Sequence, residues 1–153
     1  MTERENGLYL EDLHVGQRFT SGTYVMEEHL IKEFAAQFDP QPFHLDVSAG
    51  EASVFKGLVA SGWHTAAVAM RLLATGGLPI ANGLIGYGGE IAWPNPTRPG
   101  DVVQIESEIM DIRPSRSKPD QGVVTTRSVM HNQNGNSVYT LTAKLLVFRR
   151  SAA

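Results

Sequence analysis

The feature that most constrains the fold is a segment that would be apolar on nearly every side of a helix. It runs over residues 66–75 and follows the lead-in Ser61-Gly-Trp-His-Thr. A helix of this kind is buried in a globular protein, and this one is too short to span a bilayer. Ser61 is a favourable N-cap residue, and Gly76-Gly77 is placed to end the helix. The sequence therefore predicts a buried helix over residues 62–75.

The segments that would surround this helix are mostly strands. Residues that favour β structure predict a first strand over residues 17–26. After residue 84 only strands are expected, because apolar alternation and turn signals recur to the end of the chain, over residues 84–93, 102–112, 123–131 and 137–149. Strands set apart from helices predict an α+β fold with an antiparallel sheet. We expect this sheet to wrap around the buried helix.

A second helix is predicted over residues 27–38. Its apolar residues recur at helical spacing and share one face: Leu30, Ile31, Phe34, Ala35 and Phe38. Pro40 disfavours helical backbone at Asp39, so the helix must end near Phe38. Asp39 is therefore delivered at the C-terminus of a helix.

Asp39 begins a stretch that carries two proton-transferring groups, Asp39-Pro-Gln-Pro-Phe-His44. Pro40 and Pro42 should hold Asp39 and Gln41 out of helix in a stiff, irregular segment. A carboxylate and an imidazole on one rigid loop suit proton transfer near neutral pH. The alternative is turn chemistry alone, since Asp before Pro commonly starts a turn. An extended chain would separate the two Cα atoms by ~15 Å, so joint action on one water requires the loop to bend.

The composition bounds the class of protein. The chain has 153 residues, 42% of them hydrophobic and 19% charged, so we expect one globular domain over residues 1–153. A net charge of -3 argues against a nucleic-acid-binding protein, and the absence of cysteine excludes disulfides and thiolate chemistry. The polar N-terminus lacks the apolar core of a signal peptide, and no apolar run reaches the length of a membrane span. A soluble cytoplasmic protein is the expectation.

Several catalytic motifs are missing from the sequence. Ser61 is not a nucleophile elbow, because Val59 stands where that motif requires glycine. No P-loop and no complete dinucleotide-binding glycine pattern is present. His44, Asp46 and His64 lack the spacing and the carboxylate support of a metal site. We therefore expect neither a metal nor another cofactor.

The N-terminus of the buried helix is a second candidate for chemistry. Free backbone N–H groups and the positive end of the helix dipole lie at Ser61-Gly62, where glycine lets a ligand approach closely. Donors fixed in this way stabilise an oxyanion or an enolate. The alternative is that Ser61-Gly62 only caps a structural helix. Trp63, Met70 and Leu72 are expected in the core, and His64 is expected to be a hydrogen-bonded core histidine.

Taken together, three stretches resemble the MaoC-like dehydratase family, the (R)-specific enoyl-CoA hydratases with a hot-dog fold. The stretch Asp39-Pro-Gln-Pro-Phe-His44 is similar to the hydratase motif of that family. Leu58-Val-Ala-Ser-Gly-Trp63 is similar to the entry into its central helix. Arg98-Pro-Gly-Asp101, followed by Asn134-Gly135, resembles its sheet turns. The likeness spans nearly the whole chain.

The resemblance implies a fold, a reaction and a set of site residues. The fold is a hot-dog domain, and the reaction is the reversible addition of water to a trans-2-enoyl-CoA to give an (R)-3-hydroxyacyl-CoA. This would make the protein a lyase of acyl-CoA and fatty acid metabolism. Asp39 and His44 would activate the water, and the backbone N–H of Gly62 would belong to the oxyanion hole. Gln41 departs from the Asn often found in the motif, which bears on the hydrogen bonding of the loop and on the substrate.

Other residues are expected to contact the substrate. Gln41 lies between Asp39 and His44, Ser61 precedes Gly62, and Arg116 belongs to a cationic loop over residues 113–118. That loop, or Arg149-Arg150, would hold the CoA phosphates. Two other functions stay open: thioester hydrolysis, which hot-dog folds also support, and acyl-CoA binding without turnover.

A homodimer is also expected. The long last strand and the glycine-rich strand over residues 84–93 would leave sheet edges exposed in a monomer. Hot-dog proteins pair their sheets, and most soluble oligomers are closed two-fold dimers.

Overall fold

A computed structural model describes residues 7–151 of the chain. The polar N-terminal stretch considered above lies, apart from Gly7, outside these residues. In chain order the elements are a 3₁₀ turn (Leu10–Asp12), β1 (Arg18–Val25), α1 (Glu28–Phe38), α2 (Pro42–Leu45), α3 (Val47–Glu51), α4 (Gly62–Leu72), a π-helical turn (Leu73–Gly77), β2 (Ile85–Ala92), β3 (Val102–Pro114), β4 (Gln121–His131) and β5 (Ser137–Phe148). The predicted elements agree with these to within a few residues.

The five strands form one antiparallel sheet in the order β1-β3-β4-β5-β2. The helix α4 packs on this sheet against β1, β3 and β5. The fully buried side chains come mostly from the inner faces of the strands and include Ile105, Ile109, Val124, Met130 and Val138. A sheet wrapped around one central helix is the hot-dog fold, so the predicted fold class is confirmed.

The segment after α1 is only partly irregular. Asp39, Pro40 and Gln41 lie outside helices as predicted, and the N–H of Asp39 still donates to the carbonyl of Ala35. Pro42, however, begins α2 as its first residue, so the prediction of irregular backbone as far as His44 is wrong. The first position of a helix suits proline because its fixed φ is helical and its missing N–H has no intrahelical acceptor there. This turn shortens the path between the two predicted groups.

One face of α4 is exposed, which corrects the prediction of a helix buried on every side. Trp63 is 58% exposed and Met70 is 46% exposed, whereas Leu72 is buried as predicted. The sheet covers only the opposite face, because a five-stranded sheet of one chain does not close around the helix. Helical backbone ends close to the predicted place, at Thr75 and Gly76 within the π-helical turn after α4, and the φ of +121° at Gly76 favours glycine.

The sheet edges are β1 and β2. All eight residues of β2 are exposed, and β2 pairs only with β5. The last strand, β5, lies between β4 and β2, so the prediction that it leaves an exposed sheet edge is wrong. Asn134-Gly135 forms the predicted turn between β4 and β5, with φ of +78° at Gly135. Among residues 7–151, every helix is too short or too polar to cross a bilayer.

Candidate active site

The structure brings Asp39 and His44 together. The Nε2 atom of His44 lies 3.3 Å from Oδ2 of Asp39, and the imidazole is only 5% exposed. The helical turn α2 produces this approach, because it coils the chain between the two residues. The bend that joint action on one water requires is therefore present.

The orientation of the His44 ring is fixed from the other side. Its Nδ1 atom lies 2.7 Å from the carbonyl oxygen of Val59. A carbonyl oxygen can only accept, so Nδ1 must carry a proton and donate it. In the neutral ring, the lone pair is then on Nε2, the nitrogen that faces Asp39. In the neutral ring, Nε2 and the carboxylate are thus two acceptors that point into the same space, whereas in the protonated ring Nε2 donates to Asp39.

Two side-chain donors, from Ser61 and Gln41, hold Asp39. Ser61 Oγ donates to Oδ2 at 2.7 Å, and Gln41 Nε2 donates to Oδ1 at 2.6 Å. The pKa of the Asp39 carboxyl is lowered from its ordinary value of 3.8, and the hydrogen bond from Ser61 is the largest cause. Desolvation opposes this lowering of the pKa, whereas the bond from Gln41 and the proximity of His44 reinforce it. Asp39 is therefore a carboxylate at neutral pH.

Ser61 is fully buried and does not reach the surface of the cavity beside Asp39. Its oxygen accepts from the N–H of Trp63 at 3.2 Å, as expected of an N-cap residue, while its hydroxyl donates to Asp39. The predicted substrate contact does not fit this placement. We assign Ser61 instead to positioning Asp39 relative to the start of α4.

Replacing Ser61 with Ala tests this assignment. We expect the Asp39 pKa to rise towards 3.8 and the free energy of unfolding at pH 7 to fall by about 1–3 kcal/mol, because a cap and a bond to a charged group are both lost. The stability difference should shrink as the pH falls through the folded pKa, since that bond stabilises only the carboxylate. Carboxyl NMR titration and thermal melts measure both effects.

Ser137→Ala is the matched control, because the Ser137 hydroxyl is buried without a partner among residues 7–151. Its removal should leave the Asp39 titration unchanged. Equal titration curves for Ser61→Ala and the wild type would contradict the role of Ser61.

A cavity of about 550 Å³ opens beside the pair. Its lining includes Asp39, Gln41, His44 and Gly62, together with a larger apolar surface from Phe43, Phe55, Val59, Trp63, Trp93 and Pro94. Sequence reasoning missed Phe43, Phe55 and Trp93, because each reaches the cavity only through tertiary contacts. A few polar groups within a mostly apolar cavity are typical of a small-molecule site.

Gly62 begins α4 and lines the cavity, as predicted for a residue whose N–H could bind an oxyanion. Its carbonyl accepts from Trp93 Nε1 at 2.8 Å. A Cβ atom on Gly62 would lie 2.9 Å from Cε2 of Trp93, so only glycine fits against the indole. The helix dipole adds a partial positive charge at this end.

The cationic groups predicted to hold phosphates lie away from this cavity. Arg116 is exposed in the turn between β3 and β4 and does not line the cavity. Arg150 instead pairs with Asp12, its Nη1 and Nη2 donating at 2.9 and 2.6 Å. Within one subunit, neither residue lines the cavity beside Asp39.

His64 occupies the core but lacks the predicted hydrogen bond. Its ring stacks on Phe34 with centroids 4.8 Å apart, and its buried Nδ1 atom has no partner among residues 7–151. Desolvation lowers the pKa of His64 below its ordinary value of 6.5. A buried polar atom without a partner typically costs about 1–3 kcal/mol of stability.

Replacing His64 with Phe should preserve the stack and raise stability, most strongly in acid. The folded pKa is below 6.5, so the unfolded chain takes up a proton first as the pH falls, and the wild type loses stability from about pH 6.5 down to the folded pKa. The Tm of the variant should therefore exceed that of the wild type increasingly over this interval. His14→Phe, at an exposed histidine, is the control. Parallel curves of Tm against pH for wild type and His64→Phe would contradict the explanation.

Comparisons with known proteins agree with the fold and place the chain in a family. The crystal structure of a MaoC-like dehydratase from Rhodospirillum rubrum is 56% identical, covers 95% of this chain and 100% of its own, and superimposes with a TM-score of 0.94. The unliganded R-hydratase PhaJ1 from Pseudomonas aeruginosa is 26% identical, with coverages of 96% and 92% and a TM-score of 0.75. The (R)-hydratase from A. caviae involved in PHA biosynthesis is also 26% identical, with coverages of 88% and 97% and a TM-score of 0.72. The family model of the MaoC like domain matches residues 13–132, well over half of the sequence, and the chain therefore belongs to the MaoC-like dehydratase family.

Proposed function

We propose that this protein adds water reversibly to a trans-2-enoyl-CoA thioester and forms the (R)-3-hydroxyacyl-CoA. The observation that carries this proposal is the 3.3 Å approach of Asp39 and His44 at a mostly apolar cavity that also contains the N-terminus of α4. The similar R-hydratases from P. aeruginosa and A. caviae support the reaction class.

The thioester carbonyl would bind at Gly62. As the first residue of α4, Gly62 has an N–H without an intrahelical acceptor, and glycine lets the carbonyl oxygen approach the backbone. Hydration at C3 places negative charge on this oxygen. A donor fixed at a helix N-terminus stabilises that charge more than it stabilises the neutral ground state.

The water would bind to the pair. Oδ2 of Asp39 and Nε2 of His44 are both acceptors and are close enough for one water to donate a proton to each. The lone pairs of its oxygen are then free to attack C3. Their fixed direction would decide which face of the double bond receives the hydroxyl group.

The proton balance closes within the pair. As the water oxygen bonds to C3, one of its protons passes to the pair and the other stays in the new hydroxyl group. The enolate then takes a proton from the pair at C2, and the pair returns to its starting state. Asp39 starts as a carboxylate because its pKa is lowered, first by the bond from Ser61, so it is ready to accept.

Product analysis with crotonyl-CoA tests this reaction. Loss of the enoyl absorbance without release of free thiol is the expected result. Free CoA would instead indicate thioester hydrolysis, with the water directed at C1. Tight acyl-CoA binding without either change would indicate a binding module, and both of these results would overturn the proposal.

We also propose that the protein is a homodimer joined through β2. This edge strand is exposed along its whole length. Trp93, the residue that follows β2, contacts Trp63 on the exposed face of α4, with ring centroids 5.3 Å apart. Met70 of α4 and Ile91 of β2 are further exposed apolar side chains, whereas Tyr87 lines a groove with Asp111, Arg113 and Lys144. An unpaired edge strand next to exposed apolar side chains favours a second copy as the occupant.

Two-fold pairing of β2 strands would also change the position of the cationic loop. Antiparallel pairing brings the end of the second subunit's sheet that carries the turn between β3 and β4 next to this subunit's cavity. The loop over residues 113–118 of that second subunit, which includes Arg116, could then reach the phosphates of a bound CoA. The role of Arg116 therefore stays a prediction that depends on the dimer.

Light scattering tests the dimer. A mass near twice 16.7 kDa is expected at micromolar concentration, and a mass near 16.7 kDa would contradict it. Ile91→Glu on β2 should shift the mass towards the monomer, because a buried unpaired charge strongly destabilises an interface. Val15→Glu, at a position exposed outside β2, is the matched control and should leave the mass unchanged.

A further inference from the structure

Arg98 ties the segment after β2 to a loop that forms part of the cavity. Its Nη2 atom donates to the carbonyl oxygen of Phe55 at 2.6 Å. A Cβ atom on Gly57 would come within 3.0 Å of its Nη1, so the guanidinium lies against the backbone of this loop. The contact joins residues that are 43 positions apart in the sequence.

Apart from the packing of the Phe55 ring on Phe43, the loop over residues 52–57 is otherwise held by local contacts. Its own bonds run to Gly50 and Ser53, including the N–H of Gly57 donating to the carbonyl of Gly50 at 3.0 Å. Val54 at its tip is 86% exposed, and Lys56 has a φ of +58°, which is unfavourable for a side chain of this kind. Local turns of this type open readily, so a tie from elsewhere in the fold is needed to hold the loop.

Arg98 is itself firmly anchored. Its backbone N–H donates to Oδ2 of Asp101 at 2.8 Å, and Oδ1 of this buried carboxylate accepts from Gln133 at 3.0 Å. Gln133 belongs to the turn between β4 and β5 and also accepts from the N–H of Val102. The backbone of Arg98 is therefore fixed to the end of the sheet where β3 begins and where β4 turns into β5.

The guanidinium has no carboxylate partner that would explain its presence. None of the ion pairs formed within residues 7–151 involves Arg98. Its bond to the Phe55 carbonyl is a hydrogen bond from a charged donor, which is stronger than one between neutral groups. The hydrogen bond to the loop is thus the interaction that explains this side chain.

Phe55 is the part of the loop that faces the cavity. Its ring lies 5.3 Å from the ring of Phe43, which in turn lies edge-on to His44 at 4.6 Å. We call Phe43 and Phe55 the aromatic wall. With the thioester carbonyl at Gly62 and C3 at His44, an acyl chain that continues beyond C3 runs along this wall.

We propose that Arg98 is a positioning residue that determines the acyl-chain length the site accepts, because it holds Phe55 in the aromatic wall. This inference rests on the proposed function for the identity of the ligand. A loosened loop would lose contacts with the far end of a long chain and leave the contacts near the thioester unchanged.

The test uses binding of saturated acyl-CoA esters, which needs no turnover. In Arg98→Met, calorimetry should show the Kd of octanoyl-CoA rising about tenfold, because the far end of the chain loses its packing against Phe55. The Kd of butanoyl-CoA should rise less than about twofold, since a short chain ends before Phe55. Arg98→Lys keeps one charged donor and should restore most of the octanoyl-CoA affinity. Arg18→Met, which removes a guanidinium paired with Glu108 at 2.9 Å, is the control and should change neither Kd.

Hydrogen exchange gives a second, ligand-free measurement. The amides of residues 52–57 should exchange faster in Arg98→Met than in the wild type, and Arg18→Met should leave their exchange unchanged. Unchanged exchange in Arg98→Met, or an equal loss of affinity for both esters, overturns the inference. If the wild type binds neither ester, the proposed function fails. The chain-length role then fails as well, even if hydrogen exchange shows that Arg98 holds the loop.

Discussion

Asp39→Asn and His44→Ala should each lower kcat by ~10² or more, which is the usual contribution of a positioned acid or base. The Nε2–Oδ2 distance of 3.3 Å allows one water to bind to both side chains. Loss of either residue then removes the activated nucleophile. KM should change less, because the thioester is held by the Gly62 N–H and by the apolar lining of the cavity.

The double variant should be about as slow as the slower single variant. Residues that act on one water as a unit have grossly non-additive effects, since the first replacement already removes the step that the second residue serves. Thermal melts must first show that each variant folds, because His44 is buried and its Nδ1 donates to Val59. Two losses that multiply in a folded double variant would mean that the residues act in separate steps. Nearly full activity in His44→Ala would exclude His44 from the reaction.

Gly62→Ala should lower kcat/KM by roughly 10², although the backbone tolerates alanine. No left-handed φ occurs at Gly62, and alanine is the better helix former, so the backbone itself should not be strained. The loss would come from the new Cβ atom, which would lie 2.9 Å from Cε2 of Trp93. The indole must move, which removes its bond to the Gly62 carbonyl and displaces the N-terminus of α4. A misplacement of about 1 Å in a site can reduce a rate by this factor.

A compensating replacement distinguishes this explanation from a general loss of stability. Trp93→Phe removes the fused ring that the new methyl group would strike, so Gly62→Ala combined with Trp93→Phe should recover part of the lost activity. Trp93→Phe alone is the matched control for loss of the indole N–H. A double variant that is slower than Gly62→Ala would contradict the steric explanation.

Local residue chemistry determined much of this protein. Ser61 and Gly76 set the ends of the central helix, because capping and positive φ depend on neighbours within one turn. Pro40 ended α1 and left Asp39 at its C-terminus. Asp39, His44 and Gly62 could be selected as site residues from such local rules and from the likeness to a family motif.

Only the tertiary structure decided which side chains complete the site. Ser61 reaches Asp39 across 22 positions, and Arg98 reaches Phe55 across 43, so no pattern of neighbouring residues indicates either bond. Trp93 enters the cavity because β2 lies at the edge of the sheet, which is a consequence of strand order. The exposed face of α4 has the same origin: apolar periodicity predicts that a face will be covered, but the number and order of the strands determine how much of the helix one chain can cover.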